Sequence, residues 1–452
     1  MAAPVTVLSA VRGAGEADLV VALGGPGAGT VVTRRCGDLT ELLAAAAAGA
    51  GAVAVVSGDL PGLDREAVAR LHGSGVRVVA LADAVPADRL RALGADVVLD
   101  GARLDADAVV AAVQQAAGTP GAPGAGPDAA PEEGAPATAL GAAGDADAAE
   151  AEASGRVQPG RVVVVWGPVG APGRTTTALE LAHELAGVAA ARGRRRSARG
   201  RRAGEAGEEP PADPRPVLLV DADTYGSSLA ARLGLLDDAP GLAAVARAAG
   251  QGTLDLATLA RHAPVLARGL RVLTGLTRAA RWPEVPASAL EVVLERAREL
   301  AAWTVVDTGA VLEADELLMY DTQAPQRNAA TLAALAAADD VVVVGAGDPV
   351  GVQRLVRGLE ELREAPVPVP RPTAVVVNRV RAAAVGPRPE AAVRAALERY
   401  AGVGDLVVVP DDPAGCDGAL LAGRSLAEHA PASPARLAFA GLADRLRAPA
   451  PV

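Results

Sequence analysis

Apolar residues come along this chain in short runs separated by polar and glycine-rich turns. In the first 115 residues, the runs at 5–10, 30–34, 53–57, 76–80 and 96–99 are rich in Val, Leu and Ala and predict strands. Between them, 39–48, 64–71 and 87–93 carry apolar residues at helical spacing. Segment 16–23 also reads as a helix, although Val20 and Val21 would suit a strand. Strand and helix patterns in alternation imply a parallel sheet with helices on both faces. The same alternation returns beyond residue 160. Val-rich runs at 161–167, 217–220, 303–306, 341–344, 374–377 and 406–409 lack a polar face, as expected of strands buried on both sides. Segments 178–185 and 434–446 read as helices. The spacing of Leu437, Leu442 and Leu446 suits a helix docked on a core better than one lying on a membrane, because only Phe439 adds bulk and basic residues are few.

The stretch between these halves differs from both. Residues 118–160 hold seven Asp/Glu and one Arg in a background of Ala, Gly and Pro, with Leu140 nearly the only large apolar side chain before Val157. Such a segment buries too little surface to offset its ordering entropy, and a disordered linker is expected. The chain therefore divides into an α/β domain over 1–117, a linker over 118–158 and a second α/β domain over 159–452. Within the last, 189–216 reads as a variable solvated insertion: seven Arg crowd Arg192–Arg202, and an acidic, Pro-rich stretch follows. A membrane or polyanion contact is the other reading of that run.

Composition narrows the function. The 43 basic residues are all Arg, since no lysine occurs, and 54 acidic residues leave a net charge of −11. That balance excludes a general nucleic-acid coat, and no specific nucleic-acid partner is expected. Two cysteines, Cys36 and Cys416, cannot form a multi-cysteine metal site alone. The four histidines, His72, His183, His262 and His429, show no ligand spacing. The N-terminus carries no basic segment followed by an apolar core, and the uncharged, Ala- and Gly-rich stretch 42–58 is short for a spanning helix. A cytoplasmic protein is expected, with recruitment to the inner membrane face as an option.

Candidate chemistry sits at the strand ends of the second domain. The strand 161–167 runs into the loop 168–177 (PVGAPGRTTT) and then a helix. Strand, glycine loop and helix form the context of a phosphate-binding loop, whose backbone N–H groups cradle a polyphosphate. Thr175 stands where a hydroxyl would bind magnesium, and Thr176 where one could donate to a nearer phosphate. Pro168 replaces the glycine expected there, and Arg174 replaces the expected lysine with a bulkier planar fork. Further polar residues end successive strands: Asp221 and Asp223, Asp307 and Gly309, Asp348, Asn378, and Pro410 with Asp411. In a parallel sheet those ends form one rim, where ligands bind.

Two resemblances follow. The run 53–64 (VAVVSGDLPGLD), with 91–96 (RALGAD), resembles a response-regulator receiver domain of flavodoxin-like fold. Aligned on Pro61, the phosphoacceptor position falls on Ser57, the first strand ends without an acidic pair, and no lysine is present. A degenerate pseudo-receiver used for docking or dimerisation is therefore implied. No helix-turn-helix or basic domain supports a transcriptional output.

The second domain resembles the MinD/ParA family of deviant Walker P-loop ATPases. With a receiver-like N-terminus it looks most like the CpaE/TadZ branch, associated with Flp/Tad pilus assembly; similar proteins are labelled septum-site-determining or chromosome-partitioning. The resemblance implies an ATP- and Mg²⁺-binding spatial regulator or scaffold that dimerises on nucleotide and meets pilus-assembly or division proteins. It assigns Gly170, Ala171, Pro172, Gly173, Arg174, Thr175 and Thr176 to the phosphate loop. Asp221 becomes the acid that orients attacking water, with Asp223 in the same switch. Asp307 holds a magnesium-bound water and Gly309 begins the second switch. Asn378, Pro410 and Asp411 meet adenine. Catalysis would rest on Asp221, Arg174 and Asp307, and magnesium on Thr175 and Asp307. The family loop carries two lysines that here are Val169 and Arg174, so nucleotide binding with weak or lost hydrolysis is expected. A metabolic P-loop ligase or amidotransferase is the alternative of another class, for which Cys416 is a poor glutaminase nucleophile.

Overall fold

The computed structural model describes residues 3–13, 15–83, 85–101, 105–118, 158–199, 215–235, 240–314 and 325–448. The linker expected over 118–158 lies, except for its ends, outside the described residues. The chain divides into two compact units, Met1–Gln158 with Gly250–Thr253, and Pro159–Ala249 with Leu254–Val452.

In the first unit, strands β1 (Val5–Ala10), β2 (Thr30–Arg35), β3 (Val53–Ser57), β4 (Arg77–Ala82) and β5 (Val97–Asp100) form one parallel sheet in the order β2-β1-β3-β4-β5. Successive side chains alternate between its faces, as strand geometry requires. Val53 and Val55 pack with Leu19 and Leu23 of the helix Glu16–Leu23 and with Val109 and Val113 of the helix Ala106–Gly118. Ala54 and Val56 pack on the other face, against the helices Leu39–Ala47, Arg65–Gly73 and Ala87–Leu93. Asp38 and Asp64 open two of these helices by accepting the N–H groups of Glu41 and Ala67. Ser57 ends β3 buried, and its hydroxyl accepts the Arg12 N–H at 2.8 Å.

The second unit holds an eight-stranded sheet. Its strands are β6 (Arg161–Trp166), β7 (Val217–Ala222), β8 (Val265–Ala267), β9 (Leu270–Leu273), β10 (Trp303–Thr308), β11 (Asp340–Ala346), β12 (Ala374–Val380) and β13 (Leu406–Pro410), in the order β13-β12-β11-β6-β10-β7-β9-β8. Only the edge pair β8·β9 is antiparallel. The alternation again sorts side chains: Val162, Val164 and Trp166 enter one core, and Val163 and Val165 the other. On the first face lie the helices Gly241–Gly250, Ala287–Leu300, Ala329–Ala336 and Pro349–Arg363. On the second lie the helices Arg174–Arg199, Pro413–Leu421 and Pro434–Arg447.

The helix after the glycine loop departs from expectation. It was predicted over 178–185, but it begins at Arg174 and continues to Arg199. The Arg-rich run thus starts as helix; its side chains, and residues 200–214, lie outside the described residues. Between Thr177 and Ala186 this helix is buried on every side, because the sheet covers one face and the C-terminal helices the other. Polar side chains on a helix so placed need protein partners, and most find them, although Thr177 Oγ1 and His183 Nδ1 have none among the described residues. Both oxygens of Glu180 accept the Leu426 N–H, at 2.9 and 3.0 Å. Glu184 takes a two-pronged contact from Arg436, at 2.6 and 2.8 Å. His183 Nε2 lies 3.5 Å from Glu428. The helix Pro434–Arg447 is docked by the same contacts, with Phe439, Leu442 and Leu446 buried beneath it.

Candidate functional site

The carboxyl end of β6 sits at the middle of the sheet and opens into the glycine loop. Gly170 has φ +107° and Gly173 φ +99°, a region that L side chains enter only with strain. Ala171 between them also has a positive φ, of 52°, so the loop carries one strained residue without glycine's freedom. The space a Cβ on Gly173 would need is taken by the Asn378 amide, and that on Gly170 by the Arg354 guanidinium. Gly173 is therefore required by φ and by close approach to the buried Asn378, and Gly170 by φ, since the exposed Arg354 side chain can move aside.

β10 pairs in parallel with β7 so that Asp307 stands level with Asp221. Both side chains fall on the face covered by the helix Arg174–Arg199, by the alternation that sends Val305 and Leu219 into that core. Asp307 is fully buried, and neither of its oxygens has a hydrogen-bond partner among the described residues. Asp221 is 1 % exposed; one oxygen accepts the Ser228 and Leu229 N–H groups at 3.0 Å each, and the other has no partner. Burial pushes the Asp221 carboxyl up to about 6, with Asp223 adding to the rise and the Leu229 and Ser228 N–H groups opposing it. Burial also raises Asp307 well above the usual carboxylate range, reinforced by Asp221. The Thr175 hydroxyl and Arg174 favour the Asp307 anion, but Thr175 makes no well-formed hydrogen bond to it. Two dry carboxyls side by side with unfilled oxygens call for protons or a cation. With the Thr175 hydroxyl beside them they fit a hard divalent ion such as Mg²⁺, which takes oxygen ligands and keeps several waters.

Arg174 takes a position that its place in the loop motif does not suggest. Its Nε donates to the Thr308 carbonyl at 3.1 Å, and its Nη1 to the Gly167 and Pro168 carbonyls at 3.2 Å each. Its Nη2 lies 3.5 Å from Asp223. The guanidinium thus ties the loop to the end of β10 and to the turn after β7. Asp223 itself accepts the Tyr225 and Gly226 N–H groups at 2.9 and 3.0 Å, shaping that turn. Arg327 holds the turn from outside: it donates to the Thr224 hydroxyl and carbonyl and stacks 3.6 Å from the Tyr225 ring centre.

The remaining predicted residues gather at the same rim with other partners. Thr176 accepts from Arg232 Nη2 at 3.0 Å. Gly309 lies against Thr331, Tyr225 and Asp223. Asn378 is buried; its amide donates to the Pro172 carbonyl at 3.0 Å and its Oδ1 accepts the Arg379 N–H. Pro410 pairs with Val380, the Asp411 N–H donates to the Val380 carbonyl, and the Asp411 carboxylate lies 3.7 Å from Arg381. In this form Asn378 braces the loop, and Asp411 closes the β12 end. Sequence reasoning missed Arg354 and Arg379, whose Nη2 donates to the Ala171 carbonyl at 2.6 Å. Contacts across some 200 positions leave no local signal. Among the described residues no group of His, Cys, Asp and Glu forms a ready metal cluster.

No family model and no curated protein matches this chain. Solved structures do. The cell division ATPase MinD of Pyrococcus furiosus aligns at 19% identity over 64% of this chain and 98% of its own, with a TM-score of 0.45. A ParA family ATPase from Chlorobium tepidum aligns at 17% identity over 64% of this chain and 99% of its own, with a TM-score of 0.48. A Cyanothece McdA(D38A)–ATP complex aligns at 17% identity over 66% and 100%, with a TM-score of 0.46.

Proposed function

We propose that the second unit binds ATP with magnesium and acts as a nucleotide-controlled spatial regulator or scaffold whose hydrolysis is weak or lost. The observation that carries this reading is the pair of buried carboxyls, Asp307 and Asp221, with unfilled oxygens at the rim of a strained glycine loop. Thr175 and Asp307 are the residues for the magnesium shell, and Asp221 faces the same space. A bound magnesium ion supplies charge neutralisation for the phosphates. The chain's own part is to offer loop and helix N–H groups to the polyphosphate, to exclude water around Asp307, and to hold the turn 223–226 with Arg174 and Arg327. At the two loop positions where the resemblance expects lysine, Val169 carries no charge and Arg174 is committed to three carbonyls, which is the ground for slow hydrolysis.

Within this class we assign the protein to pilus assembly, on the pairing of such a module with a pseudo-receiver; the strand order β2-β1-β3-β4-β5, which flavodoxin-like domains share, supports that part. In such a first unit Ser57 spends its hydroxyl on the Arg12 N–H, a docking module's arrangement rather than a phosphoacceptor's. Self-association on nucleotide and a pilus or division partner belong to the same reading. Among the described residues no helix is long and apolar enough to cross a membrane. The ligase or amidotransferase alternative loses ground, because burial, with Asp412 nearby, pushes the Cys416 thiol up and keeps it protonated.

The test is calorimetric titration with ATP, ADP and a non-hydrolysable analogue, with and without Mg²⁺, alongside phosphate release. Binding that needs Mg²⁺ and is lost in Asp307→Asn supports the reading, and no binding of any adenine nucleotide refutes it. Rapid turnover abolished by Asp221→Ala would overturn the claim of slow hydrolysis. A fluorescent fusion that forms polar foci supports the pilus role; septal or nucleoid patterns would move it to the septum-site or partitioning role.

A further inference from the structure

Three arginines reach the loop 168–174, and they are not equivalent. Arg174 is bound to the Thr308, Gly167 and Pro168 carbonyls. Arg379 is bound to the Ala171 carbonyl. Arg354, from the second turn of the helix Pro349–Arg363, packs its guanidinium against Gly170 and makes no hydrogen bond or ion pair with any described residue. It is exposed, and it lines both a small cavity of about 60 Å³ with Val169, Gly170 and Arg379 and a wider groove of about 610 Å³ beside it. Val169, the loop's outermost side chain at 57% exposed, carries no charge. A loop built to hold a polyanion thus has one cation whose donors are all uncommitted.

We propose that Arg354 is a specificity-determining residue that contacts the terminal phosphate of a nucleoside triphosphate in cis. This rests on the nucleotide reading of the same loop. The N–H groups at the helix start, around Arg174–Thr176, serve the inner phosphates. Gly170 lies on the opposite arm, after the strand; of the two arginines there, Arg379 is bound to the Ala171 carbonyl and Arg354 is uncommitted. A guanidinium there matches phosphate oxygens with a planar pair of donors, and an arginine supplied in cis is a known way to stabilise charge on a transferring phosphoryl group. Its absence of protein partners means that its donors are recruited without breaking other contacts.

The experiment compares Mg-ATP and Mg-ADP affinity by calorimetry in the full-length protein and in Arg354→Ala, Arg354→Lys and Arg357→Ala. Arg357 lies one turn further along the same helix, is also exposed and lines the wider groove but not the small cavity over Gly170, so it controls for net charge. Arg354→Ala is expected to weaken ATP binding by about tenfold to a hundredfold while changing ADP binding by less than about threefold. Arg354→Lys is expected to recover part of the loss, and Arg357→Ala to match the unmodified protein. Unchanged melting temperatures show that the variants fold. Equal ATP affinity in Arg354→Ala and the unmodified protein overturns the inference, as do equal losses for ATP and ADP, or an equal effect of Arg357→Ala. If the unmodified protein binds neither nucleotide, the nucleotide reading itself fails, an outcome distinct from all of these.

Discussion

Glu180 offers a direct test of the buried helix behind the glycine loop. Its carboxyl is 3 % exposed and receives the Leu426 N–H on both oxygens. Burial pushes it from 4.5 up to about 7; the Leu426 N–H and Arg232 oppose the rise, and Glu184 adds to it. Because the folded value exceeds the unfolded one, the stabilisation is complete below about pH 4.5 and is lost as pH climbs through 7. The rise from 4.5 to about 7 is worth about 3 kcal/mol, taken as an upper figure. Glu180→Gln keeps a carbonyl oxygen for the Leu426 N–H and removes the titration. All three tryptophans, Trp166, Trp282 and Trp303, lie in the second unit, so urea unfolding followed by their fluorescence reports that unit alone. The variant should gain on the unmodified protein as pH rises from below 4.5 to 8.5, by up to about 3 kcal/mol. Other buried acids cancel in this difference. A difference that does not change between the two pH values would refute the reasoning.

Further outcomes follow from the same contacts. Asp307→Asn removes a dry charge beside Asp221, so differential scanning fluorimetry at pH 8 should show an unliganded gain of about 1–3 kcal/mol, together with loss of the stabilisation by Mg-ATP. That stabilisation should reach about 2.7 kcal/mol at a hundred times Kd in the unmodified protein. Arg436→Ala strands the buried Glu184 carboxylate and should lower urea stability by about 3 kcal/mol. Phe439→Ala opens a cavity beneath the C-terminal helix and should cost about 3–5 kcal/mol. Because that helix's apolar face is already covered, deleting its bulk should leave sedimentation with anionic vesicles unchanged.

Much of the sheet is legible from composition alone, because Val runs such as 162–165 and 341–344 have no polar face to turn outward. The helix Ala106–Gly118 escaped notice: Val109, Ala112, Val113 and Ala116 form its buried stripe, but an Ala-rich segment adjoining the linker blurs that periodicity. The β8·β9 edge pair is too short to announce itself, with three and four residues. The polar rim was readable from strand ends, since Asp221, Asp307 and Asn378 each follow an apolar run. Their partners were not. That Asn378 reaches the Pro172 carbonyl, or that Arg354 fills the space over Gly170, depends on β11 lying beside β6 and β12 beside β11, an order that no local pattern encodes. The length of the loop helix was hidden because its first residues, 174–177, read as the end of the glycine loop and its far end runs into the Arg-rich segment read as a solvated insertion.

The grip of Arg174 on the Thr308, Gly167 and Pro168 carbonyls has a consequence for how the loop meets any anion. The arginine offsets the partial negative charge of those carbonyls at the base of the loop. It behaves as a resident ligand that an arriving one must persuade to let go. Apparent affinity is then the intrinsic value diluted by the fraction of molecules whose Arg174 is released. Trimming that side chain to Met would leave the carbonyls bare and the loop less restrained, so entry would be faster and retention poorer. The same arginine that takes the place of a charge donor would thereby act as a latch, setting the dwell time of whatever the loop holds.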